Sequence, residues 1–153
     1  HEQTKRLMAV PHMGIDYYQQ ACDAGLSFNQ MEELVEQGFI IRNVVHLMKH
    51  AGATLEEAKE AQAARALVRD FREYIDLRVK HKVGHDEIMI VVRAANEAGR
   101  DIDHVLQLVF YNKIALKHAI EVAEHFIWVI DYPWMIAGGS SHKKAMAYLR
   151  SKS

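Results

Sequence analysis

At three corners of this chain, Ala24-Gly25-Leu26-Ser27, Ala51-Gly52-Ala53-Thr54 and Ala98-Gly99-Arg100-Asp101, an Ala-Gly pair is followed, two residues on, by a short oxygen-bearing side chain. Glycine closes a helix in the left-handed conformation at no steric cost. Ser, Thr or Asp then offers an acceptor to the unpaired N–H groups of the next helix. Two corners add the capping-box partner three residues later, Gln30 after Ser27 and Glu57 after Thr54. The match extends upstream, since Tyr17-Tyr18, Val44-Val45 and Val91-Val92 stand at the same distance before their glycines. Each corner therefore predicts a helix that stops and a second that starts at once. The glycines are unevenly spaced along the chain, which excludes a fixed-period solenoid and leaves an old duplication of a helical hairpin as the reading.

With two prolines, eight glycines and long 3.6-residue apolar periods, the chain is expected to be all-α, a helical bundle. At 153 residues it is expected to be one domain over 1–137, with an acidic multi-helix part at 1–50 and a long-helix core at 54–131; residues 138–153 add a Gly138-Gly139-Ser140-Ser141 joint and a basic helix. A chain of this size buries roughly 70% of its unfolded surface, so its core needs no metal or disulfide. Cys22 cannot form an internal bridge, and it reads as packing because no basic neighbour lowers its pKa. No stretch reaches the apolar length of a membrane span and no signal pattern opens the sequence, so a cytoplasmic protein without membrane contact is expected.

In chain order, a short helix is expected over Glu2–Val10, ended by Pro11. The first corner joins Ile15–Ala24 to Phe28–Gln37, and Gly38 leads into Phe39–His50. Two long helices come next. One runs over about 54–83, with Ala61, Ala64, Val68, Phe71, Ile75 and Val79 on a single stripe and i to i+4 pairs Arg72–Asp76 and Asp76–Lys80 on the other faces. After Gly84, Asp86 is expected to cap the next helix. The second long helix spans about 101–131, with Ile102, Val105, Val109, Leu116, Ile120, Ala123, Ile127 and Ile130 in line. The two are expected to lie side by side, and Ser141 to cap a final helix over His142–Arg150.

The first corner resembles the helix-turn-helix unit of phage repressors and Cro-like proteins, through Ala21, Gly25, Leu26, Met31 and Leu34. The resemblance covers about twenty residues and implies a DNA reader, with Asn29 and Gln30 facing bases. Charge argues the other way. From Leu7 to Ile41 there is no Lys or Arg, while Asp16, Asp23, Glu32, Glu33 and Glu36 are all acidic, and duplex binding rests largely on neutralising phosphate. The cations that would serve nucleic acid lie elsewhere, at Arg78, Lys80, Lys82, Lys143 and Lys144.

Ten histidines raise a metal site, at His46/His50, at His81/His85, or along His118, Glu121 and His125. No HExxH motif is present and a pair at i and i+4 lacks third and fourth ligands, so no metal and no cofactor are expected, and His118 and His125 are expected on an outer face. No nucleophile elbow or phosphate-cradling loop occurs either, so a catalytic role is not expected. The segment Phe126–Ile136 is strongly aromatic, which fits core packing first and, as the functional reading, a docking site or dimer seam. With Phe110 and Ile114, its Trp128, Tyr132 and Trp134 are the expected contact residues of a non-catalytic interaction or regulatory domain that forms a homodimer. The alternatives are a helix-turn-helix nucleic-acid regulator and, behind it, a histidine-based metal binder.

Overall fold

The computed structural model describes residues 15–64, 71–125 and 131–152, without the side chains of residues 15–17 and His125. Among them every regular element is a helix: α1 (Ile15–Asp23), α2 (Phe28–Glu36), α3 (Ile41–Ala51), α4 (Leu55–Ala63), α5 (Arg72–Val79), α6 (His85–Glu97), α7 (Ile102–Leu106), a π-helical turn (Gln107–Tyr111), α8 (Leu116–His125), α9 (Asp131–Ala137) and α10 (His142–Lys152). None is long and apolar enough to cross a membrane. The chain divides into two compact units, residues 1–85 and 86–153. The helix expected over Glu2–Val10, and Val68, Ile127, Trp128 and Ile130, lie outside the described residues.

At each corner a glycine takes positive φ and a polar side chain caps the helix that follows. Gly25 takes φ +93°; its N–H reaches the Cys22 carbonyl and the Leu26 N–H reaches back to Ala21, the paired bonds that close a helix end. Ser27 then accepts the Gln30 N–H at 3.2 Å, while the Gln30 side chain accepts the Ser27 N–H at 2.8 Å. Thr54 and Glu57 repeat that exchange at 3.1 and 3.0 Å, and Asp101 caps through the His104 N–H at 2.8 Å. In the first unit α3 is the hub, packing against α1, α2, α4 and α5. It can do so because Ile41, Val44, Val45, Leu47 and Ala51 bury a wide apolar face between its neighbours.

The two long helices are not continuous. The first stops at Ala63; Ala64 is extended (φ −77°, ψ 97°), and Phe71 enters α5 in the left-handed region at φ 56°. Each break resets the helical phase, so the expected stripe fails beyond it. Phe71, Tyr74 and Leu77 are buried, whereas Ile75 is half-buried and Val79 is exposed. The Asp76–Lys80 pair does form, at 3.6 Å. The second rod is interrupted by the π turn and by Asn112–Ala115, where Lys113 has φ 57° and the Ile114 N–H bonds back to Leu108. A π turn carries one residue more than an α turn and rotates the downstream helix about its axis. Consequently α8 buries Ala119, Val122 and Ala123 while Leu116 and Ile120 sit half-buried.

Asp86 does not cap α6. That helix already begins at His85, and Asp86 lies exposed in its first turn, where a carboxylate favours the dipole. The expected Gly-Gly-Ser-Ser joint is an ordered turn. Gly139 (φ +97°) donates to Ile136 and Ser140 donates to Met135, closing α9, and Ser141 Oγ then accepts the Lys144 N–H at 3.2 Å. This turn lays α10 against α9, burying Ala145, Met146 and Leu149 within the second unit.

Candidate functional site

Each unit contains a buried tyrosine whose phenol meets a histidine that in turn meets a glutamate. In the first, Tyr74 of α5 is 0% exposed and its Oη lies 2.7 Å from His85 Nδ1. Arg78, one turn along α5, donates to the same phenol oxygen at 2.7 Å and pairs with Glu57 at 3.4 Å. On the other side of the ring, His85 Nε2 lies 3.3 Å from Glu60 Oε1. A phenol that accepts from a guanidinium has its own O–H to give, and Nδ1 is the acceptor; the partners thus assign the neutral ring's proton to Nε2, facing Glu60. Burial pushes the Tyr74 phenol up, against the pull of Arg78. Burial alone would raise Glu57 too, but the Thr54 N–H, Arg78 and His85 outweigh it and hold the carboxyl below its ordinary value.

The second unit repeats the arrangement. Tyr132 of α9 is also 0% exposed, with Oη 2.6 Å from His142 Nδ1, and His142 Nε2 lies 2.9 Å from Glu121 Oε2 on α8. Arg150 holds the other carboxylate oxygen at 3.2 Å. His118 stacks flat on His142, ring centres 3.8 Å apart and 1° from parallel. The His142 hydrogen bond, aided by Arg150 and His118 and opposed by burial, keeps the Glu121 carboxyl below the usual range. Burial, then the adjacent His142, lowers the His118 pKa, against the pull of Glu121. In both units the histidine is the first residue of its helix, so each relay ties a helix start to elements earlier in the chain.

These constellations look like activated tyrosines, yet both phenols are enclosed by protein. A nucleophile has to be reached by what it attacks. Each relay ties side chains of separate helices together by hydrogen bonds, and Arg78 takes part in the first. No family model, no curated protein and no solved structure matches this chain.

The residues expected to meet a partner separate under this geometry. Trp134 is 76% exposed, whereas Tyr132, two positions earlier on α9, faces inward into the relay. Ile114 is buried and Phe110 half-buried, both drawn inward by the turn after α7, and Trp128 lies outside the described residues. Among the described members of the expected patch, Trp134 is the exposed one. Among the nucleic-acid candidates, Gln30 is occupied by its capping box, Asn29 is exposed, and Lys80 pairs with Asp76. Lys82 is exposed, as are Lys143 and Lys144 in the first turn of α10. Among the described residues no three His, Cys, Asp or Glu side chains are arranged to hold a metal ion. The His46 and His50 rings lie tilted by 53° with centres 4.6 Å apart, and His118 is half-buried against His142 instead of lying free on an outer face.

The relays escaped the sequence reading because their members lie on different helices. Their one linear trace is a tyrosine ten or eleven residues before a helix-initial histidine. Also missed was an open cleft of about 370 Å³ between α1 and the α3–α4 corner, lined by Gln20, Asp23, Ala24, Met48, Lys49, Gly52 and Ala53.

Proposed function

We propose that this chain is a non-catalytic all-α interaction module that associates with itself, and that Trp134 is its principal contact. The observation that carries the reading is the contrast along α9. Tyr132 is locked inside the unit, so the helix is held firmly, and two residues on the same helix presents a large indole to solvent. Tryptophan is the residue most enriched at interface centres, and a rigid mount lowers the entropy lost when it docks. The enclosure of both relay tyrosines adds support, because their phenols sit where a substrate does not reach. Sedimentation equilibrium from low to high micromolar concentration tests the proposal. Wild type is expected to form dimers or larger species and Trp134→Ala to shift strongly toward monomer; a wild type that stays monomeric throughout refutes it.

A second reading, binding to nucleic acid, draws on α10. That helix has no acidic residue, and Lys143, Lys144 and Lys152 are exposed beside a partly exposed Tyr148. Arg150, however, is already held by Glu121. Titration against random duplex in low salt separates the two, since phosphate binding weakens steeply as salt rises.

A further inference from the structure

The cleft in the first unit has the chemistry of an indole receptor. Met48, Ala24 and Ala53 supply its apolar part, and Met48 also offers a polarizable sulfur of the kind that packs favourably on aromatic rings. At its rim stand Asp23 and Gln20, whose oxygens accept hydrogen bonds, and Lys49, whose ammonium suits a ring face. An indole needs all three, because it carries a flat apolar body, a π face and one N–H that donates only. At about 370 Å³ the cleft is near the small end of ligand sites, large enough for a single aromatic side chain.

The chain itself carries an indole to fill it. Trp134 is left uncovered by the second unit, and the helix packed beside it, α10, is basic throughout. Asp23 of the cleft belongs to the 7–41 stretch, which has no Lys or Arg and also holds Glu32, Glu33 and Glu36. The two surfaces are therefore complementary in hydrogen-bonding chemistry and in charge. We propose that the cleft between α1 and the α3–α4 corner receives Trp134 of a second copy of this chain. This identifies the receiving surface for the self-association proposed above and rests on it. Donor and acceptor are different surfaces, so two copies either exchange indoles reciprocally in an isologous pair or continue head to tail through heterologous contacts.

The test uses two variants of the full chain, Trp134→Ala, which removes the anchor, and Ala24→Phe, which fills the cleft. By sedimentation equilibrium each alone is expected to self-associate at least about 30-fold more weakly than wild type, the size of an interface hot spot. Mixed together they are expected to form a one-to-one pair, because the blocked copy still gives its Trp134 and the Trp134→Ala copy still offers an open cleft. A mixture of two folded variants that stays monomeric overturns the proposal. So does Ala24→Phe associating like wild type while Trp134→Ala does not, an outcome that leaves self-association standing with a different receiving surface. A monomeric wild type removes both readings. If Ala24→Phe loses its helical circular dichroism, N-acetyltryptophanamide titrated into ¹⁵N-labelled Trp134→Ala decides instead. Shifts clustered at Gln20, Asp23, Lys49, Gly52 and Ala53 support the cleft, and shifts elsewhere or none overturn it.

Discussion

Tyr74→Phe isolates the energetics of the first relay, because it deletes one oxygen and leaves the ring in place. That oxygen has two partners, Arg78 and His85, both at 2.7 Å. Arg78 retains Glu57 and is partly open to water, so the loss on that side falls near the lower end of the roughly 1.5–3 kcal/mol assigned to charged hydrogen bonds. His85 is 6% exposed and has no water to replace the phenol at Nδ1, which adds about 1–2 kcal/mol for a buried unpaired acceptor. The two effects together give about 2.5–3.5 kcal/mol. The assay is urea unfolding followed by circular dichroism, with a lower midpoint at an unchanged slope. The double variant Tyr74→Phe/His85→Leu sharpens it, since removing both partners leaves no orphaned acceptor. It is expected to cost less than the sum of the single variants, by about 1 kcal/mol. A Tyr74→Phe loss below about 0.5 kcal/mol, the range of ordinary surface substitutions, refutes the reasoning.

Other outcomes rest on the same geometry. Gly25→Ala forces a side chain into φ +93° although nothing lies within 4 Å of the added carbon; backbone strain alone should cost about 1–2 kcal/mol in urea unfolding. Ser27→Ala removes the acceptor for the Gln30 N–H and should cost about 1 kcal/mol, whereas the same change at exposed Ser151 in the last turn of α10 should cost little. His118 should titrate below 6.5 by NMR, since burial and the stacked His142 disfavour its charge. Its depressed folded pKa means stability that is present above 6.5 and lost as pH falls through the folded value, so the urea midpoint of His118→Phe should vary less with pH there than that of wild type. Glu121 acts in the same sense at lower pH: its contribution is present above about 4.5 and lost on acidification below that, and Glu121→Gln should flatten the acid limb of the stability profile.

At the three Ala-Gly corners the sequence by itself determined where one helix stops and the next starts. Gly25, Ser27, Gly52, Thr54, Gly99 and Asp101 act through bonds within a few residues of themselves, so their geometry is written locally and the all-α class comes with it. It did not determine how far a helix continues once started. The stripes through 54–83 and 101–131 are periodic enough for long rods, but Ala64, Phe71 and Lys113 adopt non-helical backbone that no nearby Gly or Pro announces. Burying Phe71, Tyr74 and Leu77 in one core, and Ala119 and Val122 in another, outweighs the few hydrogen bonds a continuous helix would add. The relays were likewise hidden, since Glu60, Tyr74 and His85 meet only after α4, α5 and the start of α6 have folded together. Which aromatics face outward was decided at that same level. Tyr132 and Trp134 are neighbours in sequence, and it took a histidine ten residues away, brought beside α9 by the Gly139 turn, to draw one inward and leave the other in solvent.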